Sequence, residues 1–321
     1  MTAEAVTAVR APDARSRFRL YVWAVLGLTV AVIVSGDIVQ ATESGAGCGE
    51  SWPRCDGSLI PTIGDAGTAV EFTHRMATTL LSLSFVGLVF GAWRYFRREH
   101  PVWRATLVAT AFLVAEILIG AALVLFGWVE DDASWGRVVA DGLHVVNTFL
   151  LLAAVTIVAS LAADRPLPRL RLSRRPDRLV IAAGATVLLI AITGTINSLA
   201  DTLYLSDSVD VDATPIAAIL VTIRGVHPVV AVAGGVAIVY LTIRLTELLG
   251  EAAPRPISLV QVIIGLQFVV GVLNILLLTP LETQVIHLIL ADALWISLLL
   301  VALALPSRGE RPRPASSPTP V

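Results

Sequence analysis

Eight runs of about 20 apolar residues dominate this chain, each long enough to cross a bilayer as a helix. They fall at roughly 18–40, 71–93, 104–128, 138–162, 178–199, 216–244, 257–279 and 283–305. Hydrocarbon offers no partner to a free backbone N–H or C=O, so a spanning segment must satisfy its own, as a helix or as part of a closed barrel. Runs of this length are helical. With 56% hydrophobic and only 15% charged residues, the composition is that of an integral membrane protein. The predicted fold is all-α, a polytopic membrane protein with eight transmembrane helices.

Charge fixes the expected orientation. All 23 basic residues are arginine. They concentrate in alternate connections: Arg94, Arg97, Arg98 and Arg104; then Arg165, Arg169, Arg171, Arg174, Arg175 and Arg178; then Arg308, Arg311 and Arg313. The opposite connections are acidic, with Glu43, Glu50, Asp56 and Asp65, then Glu130, Asp131 and Asp132, then Asp201, Asp207, Asp210 and Asp212. The positive-inside rule places both termini in the cytoplasm. The net charge of −2 therefore conceals a dipole across the membrane, and nucleic acid is not an expected partner. Residues 1–17 read as a cytoplasmic tail, and the Pro/Ser/Arg-rich segment 306–321 as a disordered one.

Ionisable side chains are expensive inside a membrane, and their presence there is a functional hypothesis by default. Four of the five histidines lie in predicted spans: His74, His144, His227 and His287, one on every second span. Spans two, four, six and eight all start on the outer side, so all four histidines fall in the outer half of the bilayer. One imidazole per helix, in two pairs, suits the axial ligands of two haems. A zinc or copper site would instead gather cysteine or carboxylate ligands at short spacing. Each histidine also follows a polar residue by three positions: Glu71, Asp141, Arg224 and Gln284. That offset places the two on one helical face.

The order of spans repeats. The first ends GDIVQATESG and the fifth carries GTINSLADTL; the third has EILIGAALVLFG and the seventh QVIIGLQFVVGVLN. The chain thus reads as two pseudo-repeated four-helix bundles, 18–163 and 178–305, joined by a cytoplasmic linker, 164–177.

Each motif also has a plainer reading. Glu71 and Arg75, in EFTHR, share a face and suit either a structural ion pair at the interface or a carboxylate beside a ligand. His144, in DGLHVVNTF, is a ligand or an interfacial histidine bonded to a neighbour. Arg224 suits a haem propionate through charge-assisted bonds, or it reaches to the outer surface. Pro228 follows His227 and loosens the helix there. Cys48 and Cys55 are the only cysteines and lie in an outer loop, where a disulfide is expected. A structural staple is the simpler reading of the pair, a redox-active pair the other. Glu116, Gln261, Gln267, Asn274 and Asp292 lie within spans and are expected to hydrogen-bond between helices.

These residues resemble the haem A synthase family, membrane enzymes that convert haem O to haem A for cytochrome oxidase. The resemblance is most specific in ESGAGCGESWPRCDG followed by EFTHR, and through the span layout it extends over about residues 20–305. It is the bacterial branch with a cysteine pair in the first outer loop that this chain is similar to. The resemblance implies that His227 and His287 ligate a haem B cofactor and that His74 and His144 hold the haem O substrate. Glu71 is implied as the carboxylate essential to oxidation, with Arg75 and Arg224 as candidate propionate contacts. The implied reaction hydroxylates one porphyrin methyl group successively, with oxygen from water, to give a formyl group. The implied location is the bacterial cell membrane, with the haem sites toward the outer face. Expected partners are haem O, the protohaem farnesyltransferase that makes it (haem O synthase), an unidentified electron acceptor and the lipid bilayer; a homo-oligomer is compatible with the pattern. The chain departs from the family at Pro228, where arginine often follows the histidine, and in SLADTLYLSDSVDVDA, which lacks an expected glycine-rich stretch and histidine. A di-haem electron carrier would use the same four histidines without needing Glu71. A haem or small-molecule transporter would be expected to break its helices at the midplane.

Overall fold

The computed structural model describes residues 14–165, 167, 168, 170–205, 210 and 214–306. The chain forms α1 (Ala14–Ala41), α2 (Ala66–Tyr95), α3 (Pro101–Leu125), α4 (Trp135–Ala162), α5 (Arg175–Leu205), α6 (Pro215–Ile223), α7 (Val226–Leu249), α8 (Pro256–Leu276) and α9 (Leu281–Leu303). Among the described residues there is no strand, only an isolated bridge between Cys55 and Ser58. Eight segments are long and apolar enough to span a membrane, with α6 and α7 together making the sixth.

Helix starts follow local chemistry. Asp65 caps α2, its Oδ1 accepting from the Thr68 N–H at 2.8 Å. Ser134 Oγ does the same for α4 from the Arg137 N–H. Proline stands in the first turn of α3, α6 and α8, where a missing N–H is harmless. His100, the histidine outside the spans, caps α3 by accepting from the Val102 N–H at 3.2 Å.

The sixth span is interrupted. Arg224 and Gly225 form a turn between α6 and α7. Pro228 lies four residues beyond Arg224, so it has no N–H to give the Arg224 carbonyl and its ring crowds that oxygen. The sequence predicted loosening here, and the structure shows a two-residue turn, still with right-handed helical backbone angles at Arg224 and Gly225, that sets His227 in the first turn of α7. The fifth helix also runs through Leu205, so the first part of SLADTLYLSDSVDVDA is helix, not loop. Likewise α1 begins at Ala14, inside the expected tail. Residues 1–13, 206–209, 211–213 and 307–321, on which the rest of the tail and loop expectations fall, lie outside the described residues.

The packing has a symmetric pattern. α1 packs on α2 and α4, and α5 packs on α7 and α9; between these groups α4 meets α5 and α9, while α9 meets α1. The central α4 buries Leu151, Leu152, Val155, Val158 and Ala159 against a core that includes Leu294, Trp295, Leu298 and Val301 of α9. Trp295 Nε1 donates to the Phe149 carbonyl at 2.8 Å, and the two rings meet edge to face. Peripheral helices expose apolar stripes instead: Leu80, Leu83, Val86 and Phe90 on α2, and Val262, Leu266, Val269 and Val272 on α8. A helix apolar on both its inner and outer faces suits lipid.

Candidate functional site

Each intramembrane histidine ring lies against a glycine of a neighbouring helix. A Cβ built on Gly36 of α1 would stand 3.2 Å from His74 Cε1, and one on Gly194 of α5 would stand 3.1 Å from His227 Cε1. Gly120 of α3 and Gly271 of α8 face His144 and His287 in the same way, at 3.6 and 3.5 Å. A Cβ at Gly36 or Gly194 would crowd the ring, whereas one at Gly120 or Gly271 would make an ordinary contact. The helices of each pair share a neighbour: α2, with His74, and α4, with His144, both pack on α1, while α7, with His227, and α9, with His287, both pack on α5.

The residue preceding each of the first two glycines anchors a ring. Ser35 Oγ bonds His74 Nδ1 at 2.7 Å, and Thr193 Oγ1 bonds His227 Nδ1 at 3.2 Å. Both bonds hold the ring through Nδ1 and leave Nε2 for a metal, the usual arrangement around a ligating histidine. The repeat read from GDIVQ and GTINS thus begins on the two glycines that receive the rings. In the seventh span the structural match to Glu116–Gly120 falls on Gln267–Gly271. The more similar-looking Gln261–Gly265 does not serve, because Gly265 faces open space.

The residues three positions before each histidine share its helical face but make their contacts elsewhere. Glu71 pairs with Arg75 and accepts the Cys48 N–H at 2.6 Å. Asp141 faces Arg137 at 3.7 Å. Arg224 lies over the Tyr204 ring at 3.9 Å, and Gln284 donates to the Thr279 carbonyl at 2.6 Å. Helical side chains lean toward the N-terminus. A residue one turn before the histidine therefore reaches back to the preceding loop or turn, while the histidine finds its partner on another helix.

His144 shows this most clearly. Its Nε2 lies 3.0 Å from Glu116 Oε1 of α3. Glu116 also accepts from Asn147 Nδ2 and Thr148 Oγ1 of α4, and Asn147 Nδ2 donates to the Phe112 carbonyl as well. Glu116 is thus a helix–helix hydrogen-bonding residue as expected, yet its contact with a candidate ligand was not foreseen. Gln261 meets the same expectation through Thr242 Oγ1 at 3.3 Å. Gln267 Oε1, Asn274 Oδ1, both Asp292 carboxyl oxygens and His287 Nδ1 are buried without a partner among the described residues. Gln267, Asn274 and His287 lie on α8 and α9, the helices that carry Gly271 and its histidine.

Cys48 and Cys55 form a disulfide. Its loop is fastened to the start of α2. Thr68 Oγ1 donates to the Gly47 carbonyl at 2.7 Å, and Arg75 donates to the Ser51 and Arg54 carbonyls at 2.8 and 2.7 Å. The Thr68 bonds hold Asp65 below the usual carboxylate range. Glu71, 3% exposed, and Arg75, 9% exposed, form a buried pair, not the weak interfacial one that the sequence allowed. The disulfide loop, Glu71 and His74 therefore form one connected structure.

These features define a polytopic helical membrane protein with two histidine pairs, each ring set on a glycine. The chain belongs to the cytochrome oxidase assembly protein family, whose model matches residues 19–299. It is 34% identical over 301 residues to a protoheme IX farnesyltransferase of Thermus thermophilus, covering 92% of this chain and 50% of that protein. It is 39% identical over 108 residues to haem A synthase of Lysinibacillus sphaericus, 33% of this chain and 35% of the relative. It is 30% identical over 163 residues to haem A synthase of Halalkalibacterium halodurans, 51% of this chain and 50% of the relative. The chain spans about half, or less, of the length of these curated relatives.

Proposed function

We propose that this protein is a haem A synthase of the bacterial cell membrane, oxidising a methyl group of haem O to a formyl group. The observation that carries this reading is the set of four histidine rings on Gly36, Gly120, Gly194 and Gly271, on helices that share α1 for His74 and His144 and α5 for His227 and His287. The donor set suits haem: a glycine against each ring lets the imidazole lie close to the neighbouring helix, and the bonds of Ser35 and Thr193 to Nδ1 would leave Nε2 of His74 and His227 for iron. The unpartnered Gln267, Asn274 and His287 atoms support a ligand between α8 and the helices beside it. His227 and His287 would hold the cofactor, haem B, which supplies one-electron redox chemistry when bound. His74 and His144 would hold haem O.

The other residues then have definite tasks. Glu71, oriented by Arg75 and the Cys48 amide, accepts protons from the group being oxidised or aligns the attacking water. Each guanidinium nitrogen of Arg75 already donates, Nε and Nη2 to Glu71 and Nη1 to the loop carbonyls of Ser51 and Arg54, so the propionate contact falls mainly to Arg224. Arg224 lies three residues before His227, and its guanidinium rests on the Tyr204 ring of α5. Glu71 sets this reading apart from an electron carrier, which has no use for a carboxylate clamped beside a ligand. Both termini face the cytoplasm and both haems lie toward the outer side. The two halves, 18–163 and 178–305, are the substrate and cofactor halves. The Thermus relative is about twice the length of the matched region and is named for farnesyl transfer to protohaem. Farnesylated haem is haem O, so a farnesyltransferase is the expected donor of substrate.

The test is co-expression with such a farnesyltransferase, followed by extraction and chromatography of the haems. Haem A or a hydroxylated precursor is expected in the strain carrying both proteins. Only haem B and haem O, with this protein folded and abundant, would overturn the assignment.

A further inference from the structure

The two histidine pairs differ in one respect that the repeat makes visible. Glu116 and Gln267 stand at the same place, four residues before the glycine that receives a ring. In the N-terminal half the carboxylate engages the ring, with Glu116 Oε1 3.0 Å from His144 Nε2. In the C-terminal half the amide does not: Gln267 Oε1 and His287 Nδ1 are both buried without partners among the described residues. His144 is also unlike His74 and His227, whose bonds to Ser35 and Thr193 are made through Nδ1.

An imidazole nitrogen that donates its N–H to a carboxylate has no lone pair for a metal. Nε2 of His144 therefore serves Glu116 or an iron, not both. The carboxylate is held for this purpose by α4 itself, through Asn147 Nδ2 on Oε2, the oxygen that does not face His144. A hydrogen bond to an ionised acceptor is roughly twice as strong as one between neutral groups, so Glu116 is an effective competitor. The half read as holding the substrate must release its haem on every turnover. The half read as holding the cofactor must keep it.

We propose that Glu116 is a positioning residue that makes His144 an exchangeable haem ligand, competing with iron for Nε2 so that the N-terminal half binds haem reversibly. The proposal rests on the reading of His74 and His144 as ligands of haem O. Gln267 at the matching place leaves His287 without such a competitor, and the C-terminal half keeps its haem. Thr148 tempers the competition by sharing Oε1 of Glu116 with His144.

The test is haem capture. Protein carrying haem B is loaded with purified haem O in detergent, then mixed with excess apomyoglobin, and transfer is followed by absorbance. Wild type should release haem O in a fast phase and haem B in a slow one. In Glu116→Gln, which keeps the side-chain shape and weakens the competitor, the fast phase should slow about tenfold. In Thr148→Val, which leaves Oε1 to His144 alone, it should quicken. The slow phase should not move in either. His144→Ala should take up less haem O or release it faster than wild type. If it does so while Glu116→Gln and Thr148→Val both release haem O at the wild-type rate, the competition is refuted and the ligand assignment stands. If the fast phase survives His144→Ala unchanged, the ligand assignment fails and takes the proposal with it. Thr148→Val carries the test alone should Glu116→Gln not fold.

Discussion

Replacing Gly194 by alanine tests the seating of His227, the proposed cofactor ligand, with a single methyl group. The new Cβ would stand 3.1 Å from His227 Cε1, 3.5 Å from Nδ1 and 3.7 Å from Nε2. Carbon atoms pack comfortably at about 3.5–4.0 Å, so the ring must withdraw from α5 by about 0.4 Å. The Thr193 Oγ1–His227 Nδ1 bond, at 3.2 Å, is already at the long end of its range. The same withdrawal stretches it to about 3.6 Å, beyond hydrogen bonding. Overpacking a built site costs about 1–3 kcal/mol, while alanine gains about 1 kcal/mol over glycine within a helix. The fold is thus destabilised by no more than about 2 kcal/mol, but the ligand loses its anchor. Loss of a supporting bond to a ligating histidine weakens metal binding by about 10–100-fold. Gly271→Ala is the matched control: its Cβ meets His287 Cε1 at 3.5 Å, an ordinary contact. Gly27→Ala, with nothing within 4 Å, controls for the helix gain alone. Titration of each purified variant with haem B, read from the low-spin spectrum beside thermal unfolding, should show weakened binding in Gly194→Ala only. Equal binding by Gly194→Ala and Gly271→Ala, or weaker binding by the latter, would refute the seating of His227 on α5.

Three further outcomes follow from other parts of the molecule. Cys48 and Cys55 should resist alkylation in freshly prepared membranes until a reductant is added; labelling of both without reductant, read by mass spectrometry, would exclude the disulfide. Glu71→Gln should retain haem B yet lose haem A formation by about 10²–10⁴-fold. Because its partner Arg75 is buried, unfolding must be measured alongside, and near-wild-type haem A would place the proton acceptor elsewhere. Asp292 is 1% exposed and neither carboxyl oxygen has a partner among the described residues. Asp292→Leu should therefore raise the unfolding temperature, since an unsatisfied buried polar group costs about 1–3 kcal/mol; a clear fall would show that the carboxyl has a partner in the membrane.

Sequence alone disclosed the spans, the four histidines and the cysteine pair because each is written in a local signal: a run of apolar residues, a rare residue type in it, two cysteines in one short loop. The partners of the histidines were hidden for the opposite reason. Ser35, Glu116 and Thr193 act across helix–helix contacts, and nothing within one span marks which polar residue of its neighbour will meet a ring. The residue three positions before each histidine shares its helical face but bonds elsewhere, because a helical side chain leans toward its own N-terminus and so away from the turn that follows it. Two signals were available. GDIVQ and GTINS, once aligned, begin on Gly36 and Gly194, and each glycine follows a hydroxyl residue that anchors an imidazole. Pro228, four residues after Arg224, marked the turn in the sixth span. The buried character of the Glu71–Arg75 pair depended on a loop folding back over α2, which helical periodicity does not encode.

The central claim is a division of labour, with a retained haem between His227 and His287 and a substrate haem between His74 and His144. Haem extraction from two double variants, each made alongside the farnesyltransferase, tests it most directly. The His74→Ala/His144→Ala protein should keep its haem B and contain neither haem O nor haem A. The His227→Ala/His287→Ala protein should lose haem B. The reverse distribution, or loss of haem B from the first variant while the second keeps it, would contradict the account.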